Sequence, residues 1–184
     1  MSRWIALVPL LLLLHGSSAA ALSWSFGTQF GLASISSGAG SRTSSTVVAW
    51  PASALTYQPG LRVACGNARH TRDLTLDSGL FLLDEQGSTL SLLVGAAGYQ
   101  HVVRPDWYWS PFANLGLGFY REYAATRTHT SSSWGAGIGV RHAVRDSHGV
   151  LRAEVRYDKL DGDGGSGRPE LHTVGLRLGF DLWL

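Results

Sequence analysis

The clearest structural signal in the chain is its last segment, Val174-Gly175-Leu176-Arg177-Leu178-Gly179-Phe180-Asp181-Leu182-Trp183-Leu184. Every second residue is apolar, and most of the positions between hold glycine or a charged side chain. A helix would place Arg177 and Asp181 on the same face as Leu178, whereas a strand separates the two sets cleanly. The segment is therefore predicted to be a long β-strand with one apolar face.

The same alternation recurs throughout the chain and predicts an all-β protein. Pro51 and Pro59 make one segment doubtful, because proline removes a ladder donor and belongs at edges or bulges. Splitting that segment would give nine strands, whereas single-chain bacterial barrels have an even number. We therefore predict an eight-stranded antiparallel up-and-down transmembrane β-barrel. Its strands are predicted at 24–35, 44–65, 70–84, 88–101, 107–122, 132–145, 150–160 and 170–184.

The connections between these strands fall into two groups. Those at 66–69, 102–106 and 146–149 are short, as periplasmic turns are. The alternate connections at 36–43, 123–131 and 161–169 are longer and rich in Gly, Ser or Thr, whereas 85–87 is short. The longer group is predicted to lie on the outer side and to be available for contacts at the cell surface.

The apolar face is predicted to meet lipid. Strands of about 11–15 residues match a tilted crossing of the hydrocarbon layer and exceed the usual length of 5 or 6. A soluble sandwich or a lipocalin-like barrel is the alternative, and it would bury this face. Aromatic residues near the strand ends resemble the interfacial girdles of membrane barrels: Trp24, Trp107, Tyr108, Trp109, Tyr120, Tyr123, Trp134, Tyr157 and Trp183.

Composition agrees with a single domain of this kind. The 184 residues include 23 glycines, only 15% charged residues and one cysteine, with a formal net charge of +2. Charge lies well below the roughly 25% typical of soluble domains. A near-neutral chain without a basic cluster gives little electrostatic footprint for nucleic acid. The lone Cys65 excludes an internal disulfide.

The first 21 residues have the order of a secretory signal peptide. Arg3 precedes the apolar run 4–14, and the small residues Ala19-Ala20-Ala21 follow. We predict cleavage after Ala21, which leaves residues 22–184 as the barrel domain. An uncleaved anchor is the alternative, although the run is about half the ~20 residues that a spanning helix needs.

Four segments resemble a known family. They are Ser110–Phe119, Gly135–Arg141, Arg152–Tyr157 and the closing strand, and they are similar to small Gram-negative outer-membrane barrels of the eight-stranded OmpA/OmpX-like type. The resemblance implies a monomer in the outer membrane that contacts its lipid and lipopolysaccharide. It also implies that the barrel assembly machinery reads the last strand. Family members usually end in Phe or Trp, whereas this sequence ends in Trp183-Leu184. The apolar set of that strand is Val174, Leu176, Leu178, Phe180, Leu182 and Leu184.

The opposite face carries the charges. An eight-stranded barrel is just wide enough for side chains to fill, so opposite charges inside it are expected to pair. A narrow selectivity path through Arg141, Glu154 and Arg177 is the alternative. By the alternation, the inward set is Arg62, Asp73, Asp77, Glu122, Arg141, Arg152, Glu154, Arg156, Asp158, Arg177 and Asp181. We predict one paired network that closes the barrel, formed by Arg141, Arg152, Glu154, Arg156, Arg177 and Asp181.

Catalysis is not predicted. The Pro-Phe and Gly-x-Gly strand also resembles lipid A deacylase barrels, which place a His and a Ser two apart on a strand near the outer leaflet. The matching region, residues 156–159, contains neither, and His129-Thr130-Ser131 is predicted to lie in a loop. No cofactor or metal is predicted, because no histidine cluster has ligand spacing. His70, His101 and His148 are interpreted as solvated or interfacial. The leading hypothesis is a structural barrel, followed by a small or gated pore and then by a lipid A-modifying enzyme.

Overall fold

A computed structural model describes residues 22–37, 56–57, 60–85, 88–124, 127–144, 147–162 and 170–184. All regular structure in this part of the chain is β. The predicted signal peptide lies outside the described residues, as do most of the outer connections. The strands are β1 (Leu22–Ser37), β2 (Thr56–Tyr57), β3 (Gly60–Asn67), β4 (Arg72–Glu85), β5 (Ser88–Val102), β6 (Ser110–Ala124), β7 (Arg127–Ala143), β8 (Gly149–Leu160) and β9 (Leu171–Trp183).

The strands form one closed antiparallel sheet. Each strand from β3 to β9 pairs with the next, and β1 pairs with both β3 and β9, which closes the barrel. The short β2 lies between β1 and β4, as β3 does, so the two pieces occupy one position in the barrel. Eight positions result, and the predicted eight-stranded barrel is confirmed. Within the described residues, no helix is long and apolar enough to cross a membrane.

The outer surface of the barrel is apolar. On β9 the predicted apolar set faces outward, with Leu178 37% exposed and Val174 54% exposed. A contiguous apolar surface of this size is unfavourable in water and requires lipid or another apolar partner. The soluble alternative, which needs this face buried, is therefore wrong. Other outward residues are Phe26, Phe30, Leu61, Leu76, Leu115, Leu117, Phe119, Ile138, Leu151 and Val155.

Two predicted strand limits are wrong. β6 begins at Ser110 instead of 107, because residues 103–109 form a turn in which the Ser110 hydroxyl donates to the carbonyls of Pro105 and Trp107 at 3.3 and 3.0 Å. β7 begins at Arg127, so the long loop predicted at 123–131 is mostly strand. Its Thr and Ser residues continue the ladder with 120–124. Apolar alternation stops there while backbone pairing continues, and threonine suits a pleated strand.

The two ends of the barrel differ. Leu22, Leu184 and the described turns at 68–71 and 103–109 share one end. Short turns mark the periplasmic end of outer-membrane barrels. We refer to this end as the periplasmic rim.

Candidate functional site: the charged barrel lumen

A layer of buried polar residues crosses the periplasmic half of the lumen. Every one of the eight barrel positions contributes to it. Its members are exposed by 8% or less: Ser25, Gln29, Arg62, Asp73, Thr75, Gln100, Ser110, Asn114, Arg141, Arg152, Glu154, Arg156 and Asp181. Because these side chains come from all around the wall, they fill the cross-section and do not merely line one side.

The largest group of ion pairs centres on β8. Arg152 Nε donates to Asp181 Oδ2 at 2.5 Å, which ties β8 to β9. Glu154 Oε2 lies 4.0 Å from Arg152 Nη1, and Glu154 Oε1 lies 3.7 Å from Arg156 Nη1. Two guanidinium groups therefore share one carboxylate that is 2% exposed. Burial of this charge is offset by pairing and hydrogen bonding, as a low-dielectric lumen requires.

The group extends to β6 and to the outer half of β9. Arg156 Nε donates to Asp158 Oδ1 at 2.7 Å, and Arg177 Nη2 donates to Asp158 Oδ2 at 2.9 Å. Asn114 bridges it sideways, because its amide donates to Glu154 Oε1 and its carbonyl accepts from Arg156 Nη1, both at 2.7 Å. Five predicted network residues thus lie in one chain of contacts together with Asp158: Arg152, Glu154, Arg156, Arg177 and Asp181.

Arg141, the sixth predicted member, lies in a different group. Its Nη1 is 4.0 Å from Asp73 Oδ2 and donates to the His70 carbonyl at 2.6 Å. Its guanidinium carbon lies 5.2 Å from the centre of the Trp183 ring. Trp183 thus packs inside the barrel end and not in an outer girdle.

Arg62 joins the same region of the lumen. It donates to Gln100 at 2.9 Å, Gln100 donates to Asp73 at 3.4 Å, and Arg62 lies 3.5 Å from Asp77. Each lumen arginine described above therefore has a carboxylate within 4.0 Å.

Glycines on neighbouring strands make room for the carboxylates. A methyl group on Gly135 would lie 1.8 Å from Asp158 Oδ1, and one on Gly137 would lie 2.2 Å from Glu154 Oε1. The side chains of β8 therefore lie flat across β7, and in this way they reach Asn114 on β6. The same packing of a carboxylate against a glycine occurs between Asp181 and Gly27 and between Asp73 and Gly66.

We expect Gly137→Ala to lower the free energy of unfolding by about 1–3 kcal/mol, the cost typical of overpacking. The added methyl must displace Glu154 from its contacts with Asn114 and Arg156. Gly79→Ala is the matched control, because a Cβ there meets nothing within 4 Å. Folding titrations of both variants in urea would show the difference. Equal effects of the two substitutions would contradict the close packing of Glu154 against Gly137.

A small cavity lies on the outer side of the layer. A cavity of about 30 Å³, sufficient for one or two waters, is lined by Asp77, Gly116, Arg156, Asp158 and Arg177. Arg156, Asp158 and Arg177 thus belong both to the group of ion pairs and to the lining of this cavity.

His70 is not the solvated histidine predicted from its place near a turn. It is 1% exposed, and its ring lies 4.9 Å from the Trp183 ring. Its Nδ1 is 2.9 Å from Asp73 Oδ1 and its Nε2 is 2.9 Å from Ser23 Oγ. The backbone of His70 has a φ of 49°, which turns the side chain inward from the β3–β4 turn. In the sequence, the only indication of this contact is that His70 and Asp73 are three residues apart.

Other predicted site residues have mixed outcomes. Tyr120, predicted in an aromatic girdle, is 2% exposed and donates to the Asp161 carbonyl at 3.0 Å. His129 lies on β7 and not in a loop, but its side chain is outside the described set, like those of Glu122 and Tyr123.

A polar group lies on the lipid-facing side near the outer end. His172 Nδ1 is 2.6 Å from the Tyr157 hydroxyl, and His172 Nε2 is 3.0 Å from Glu170, which also pairs with Lys159 at 2.9 Å. These described contacts give His172 a tyrosine and a glutamate as partners, and neither is a serine nucleophile. The described residues contain no group of three or more His, Cys, Asp or Glu side chains that could hold a metal ion.

Small outer-membrane barrels are among the solved structures that this protein resembles. Neisserial surface protein A matches with a TM-score of 0.66 and 16% identity, over 88% of this chain and 98% of that protein. Ail, the attachment invasion locus protein of Yersinia pestis, matches at 0.54 and 12%, over 88% and 98%. OprG of Pseudomonas aeruginosa matches at 0.54 and 12%, over 90% and 96%. No protein family and no curated protein matches the sequence.

These matches confirm the predicted fold, that of an OmpA/OmpX-like eight-stranded outer-membrane barrel. The exposed apolar belt of the wall requires lipid around it, and transmembrane barrels of this type reside in the outer membrane. The chain is thus an integral outer-membrane β-barrel, as its sequence predicts.

Proposed function

We propose that this protein is a structural, non-conducting outer-membrane barrel whose outer connections contact partners at the cell surface. The observation that carries the proposal is the polar layer, in which all eight barrel positions supply a buried polar side chain. Ions passing through would have to displace paired, nearly dehydrated charges. A lumen arranged in this way stabilises the wall and does not form a path.

The charge balance supports the same proposal. Five arginines and five carboxylates of the described lumen stand within 4.0 Å of an opposite charge: Arg62, Arg141, Arg152, Arg156 and Arg177 with Asp73, Asp77, Glu154, Asp158 and Asp181. A selective pore usually presents charge of one sign to the ions it passes. A neutral, internally paired set lacks this property.

We expect the purified wild-type protein to show no steady single-channel current in planar lipid bilayers. The positive control is the double variant Arg152→Ser and Asp181→Ser, which removes the 2.5 Å pair from the centre of the layer and should admit ions if the barrel folds. Steady wild-type conductance, with ion selectivity changed by Glu154→Ala, would contradict the structural barrel. It would favour the small or gated pore.

The remaining assignments are part of the proposal. The belt is inferred to contact outer-membrane lipid and lipopolysaccharide, and β9, with its intact apolar face, is inferred to be the strand that the barrel assembly machinery binds. A monomer is inferred, because the barrel closes on itself without a free sheet edge in the described strands. A lipid A-modifying activity remains the third alternative. Mass spectrometry of lipid A from cells with and without the protein would test that alternative.

A further inference from the structure

Three side chains meet at the periplasmic rim in an arrangement that the closed lumen does not require. Ser23 comes from the start of β1, His70 from the β3–β4 turn and Asp73 from β4. We call these three residues the rim clasp. The His70 imidazole touches both others, with Nε2 2.9 Å from Ser23 Oγ and Nδ1 2.9 Å from Asp73 Oδ1. Ser23 Oγ also lies 2.9 Å from the Leu184 oxygen, beyond the end of β9.

Counting hydrogens fixes the state of the imidazole. Ser23 has one hydroxyl hydrogen, and the Leu184 oxygen can only accept, so that hydrogen lies between them. Nε2 must then donate to Ser23 Oγ. Nδ1 must donate as well, because the Asp73 carboxylate accepts. With Asp73 ionised, as its contacts with Arg141 and Gln100 favour, all three contacts coexist only when His70 carries both ring hydrogens and a positive charge.

Neutral His70 cannot keep the same set. With its one hydrogen on Nδ1 for Asp73, Nε2 becomes an acceptor that competes with Leu184 for the serine hydrogen. One of the two contacts of Ser23 is then lost. The strand ends β1 and β9 would be less firmly held to the turn.

The surrounding charges are consistent with a cationic imidazole. Asp73 faces it from β4 at 2.9 Å and stands farther, at 4.0 Å, from its other cation, Arg141 on β7. The Arg141 guanidinium donates to the backbone carbonyl of His70. The negative charges of Asp73 on β4 and Asp181 on β9 act on this guanidinium. Ser23 on β1 and Trp183 on β9 bring no charge, whereas the Leu184 oxygen at 2.9 Å from Ser23 Oγ belongs to the carboxylate of the last residue in the sequence and adds a negative charge.

We propose that the rim clasp is a protonation-dependent fastener of the barrel closure. When His70 is protonated, it links the first strand, the end of the last strand and the β3–β4 turn. Deprotonation releases one of these links. The fastener acts on the periplasmic end of the barrel and is independent of whether the lumen conducts.

The test compares thermal unfolding at about pH 5 and about pH 8, on either side of the range in which histidine titrates. Heat-modifiable gel mobility in detergent gives the midpoint. We expect the wild-type midpoint to be on the order of 5 °C higher at the acid pH, as expected for one charge-assisted hydrogen bond. His70→Asn should lose this difference, and Ser23→Ala should reduce it, because the contact between His70 and Asp73 remains. Asparagine is chosen because it tolerates positive φ.

His101→Asn is the control, because His101 is exposed near the same rim and should leave the pH difference intact. An undiminished pH difference in Ser23→Ala would overturn the proposal, and so would one that persists in His70→Asn. If His70→Asn does not fold, Ser23→Ala decides alone.

A fluorophosphonate probe at about pH 8 provides a separate test, because Ser, His and Asp in contact also resemble a nucleophilic triad. We expect no labelling, since the Leu184 oxygen, 2.9 Å from Ser23 Oγ, competes with His70 Nε2 for the serine hydrogen. Covalent labelling of Ser23 that depends on His70 would overturn the fastener and indicate an activated serine instead.

Discussion

Replacing Glu154 with alanine is expected to lower the free energy of unfolding by about 3–5 kcal/mol, the range found when one partner of a buried ion pair is removed. The carboxylate serves Arg152, Arg156 and Asn114 at once. Its loss leaves excess positive charge in a confined lumen and an amide donor without its acceptor. Since both arginines retain an aspartate, we expect the lower part of this range. Urea titration in lipid vesicles would measure the change.

Two further substitutions separate charge from shape. Glu154→Gln keeps the acceptor for Asn114 but removes the charge, so it should cost less than alanine. Glu170→Ala removes an exposed acid from its contacts with Lys159 and His172 near the outer end of the barrel and should cost much less than Glu154→Ala. If Glu154→Ala were as mild as Glu170→Ala, the lumen would be open to water and the closed layer would be wrong.

Leu178→Arg is expected to destabilise the inserted barrel by about 2–4 kcal/mol. Leu178 faces outward near the middle of β9 and is 37% exposed, so an arginine there must enter the hydrocarbon. Leu184→Arg is the control. It lies on the same face at the periplasmic rim, where such a change costs about 0–1 kcal/mol. Folding titrations that gave equal costs would show that the outward face of β9 does not meet the bilayer core.

Gly179→Ala is not a neutral partner for this comparison, although the face assignment alone would suggest so. A methyl group at Gly179 would lie 2.7 Å from Arg152 Nη2. That guanidinium is held by Asp181 and cannot move away without loss of the pair. We therefore expect Gly179→Ala to be measurably destabilising.

The alternation of β9 and its recurrence along the chain predict the fold, because a period of two assigns each residue to one side of the wall. It also indicated which charges point inward. Strand limits were less predictable. Residues 107–109 carry aromatic side chains on a turn, and residues 127–131 are all polar but lie on a strand, so hydropathy indicated the reverse of the backbone pairing in both places.

Contacts across the lumen could not be predicted from the sequence. Ser23 and His70 are separated by 47 residues, and Asn114 and Glu154 by 40. Such pairs depend on register, on closure of the sheet and on the reach of each side chain. The buried state of His70 depends in addition on one backbone angle, a φ of 49° that its sequence neighbours do not indicate.

Gly27, which packs against Asp181, affects the register in which β1 and β9 pair to close the barrel. Most neighbouring strands are joined by a turn that fixes their alignment, but β1 and β9 are far apart in sequence. Apolar alternation cannot distinguish alignments that differ by two residues, since every side chain keeps its face. Gly27 opposite Asp181 can, because a two-residue slip would set the aspartate against Ser25 or Gln29. The absence of a side chain at Gly27 thus helps to select the register of β1 and β9, the two strands that close the barrel.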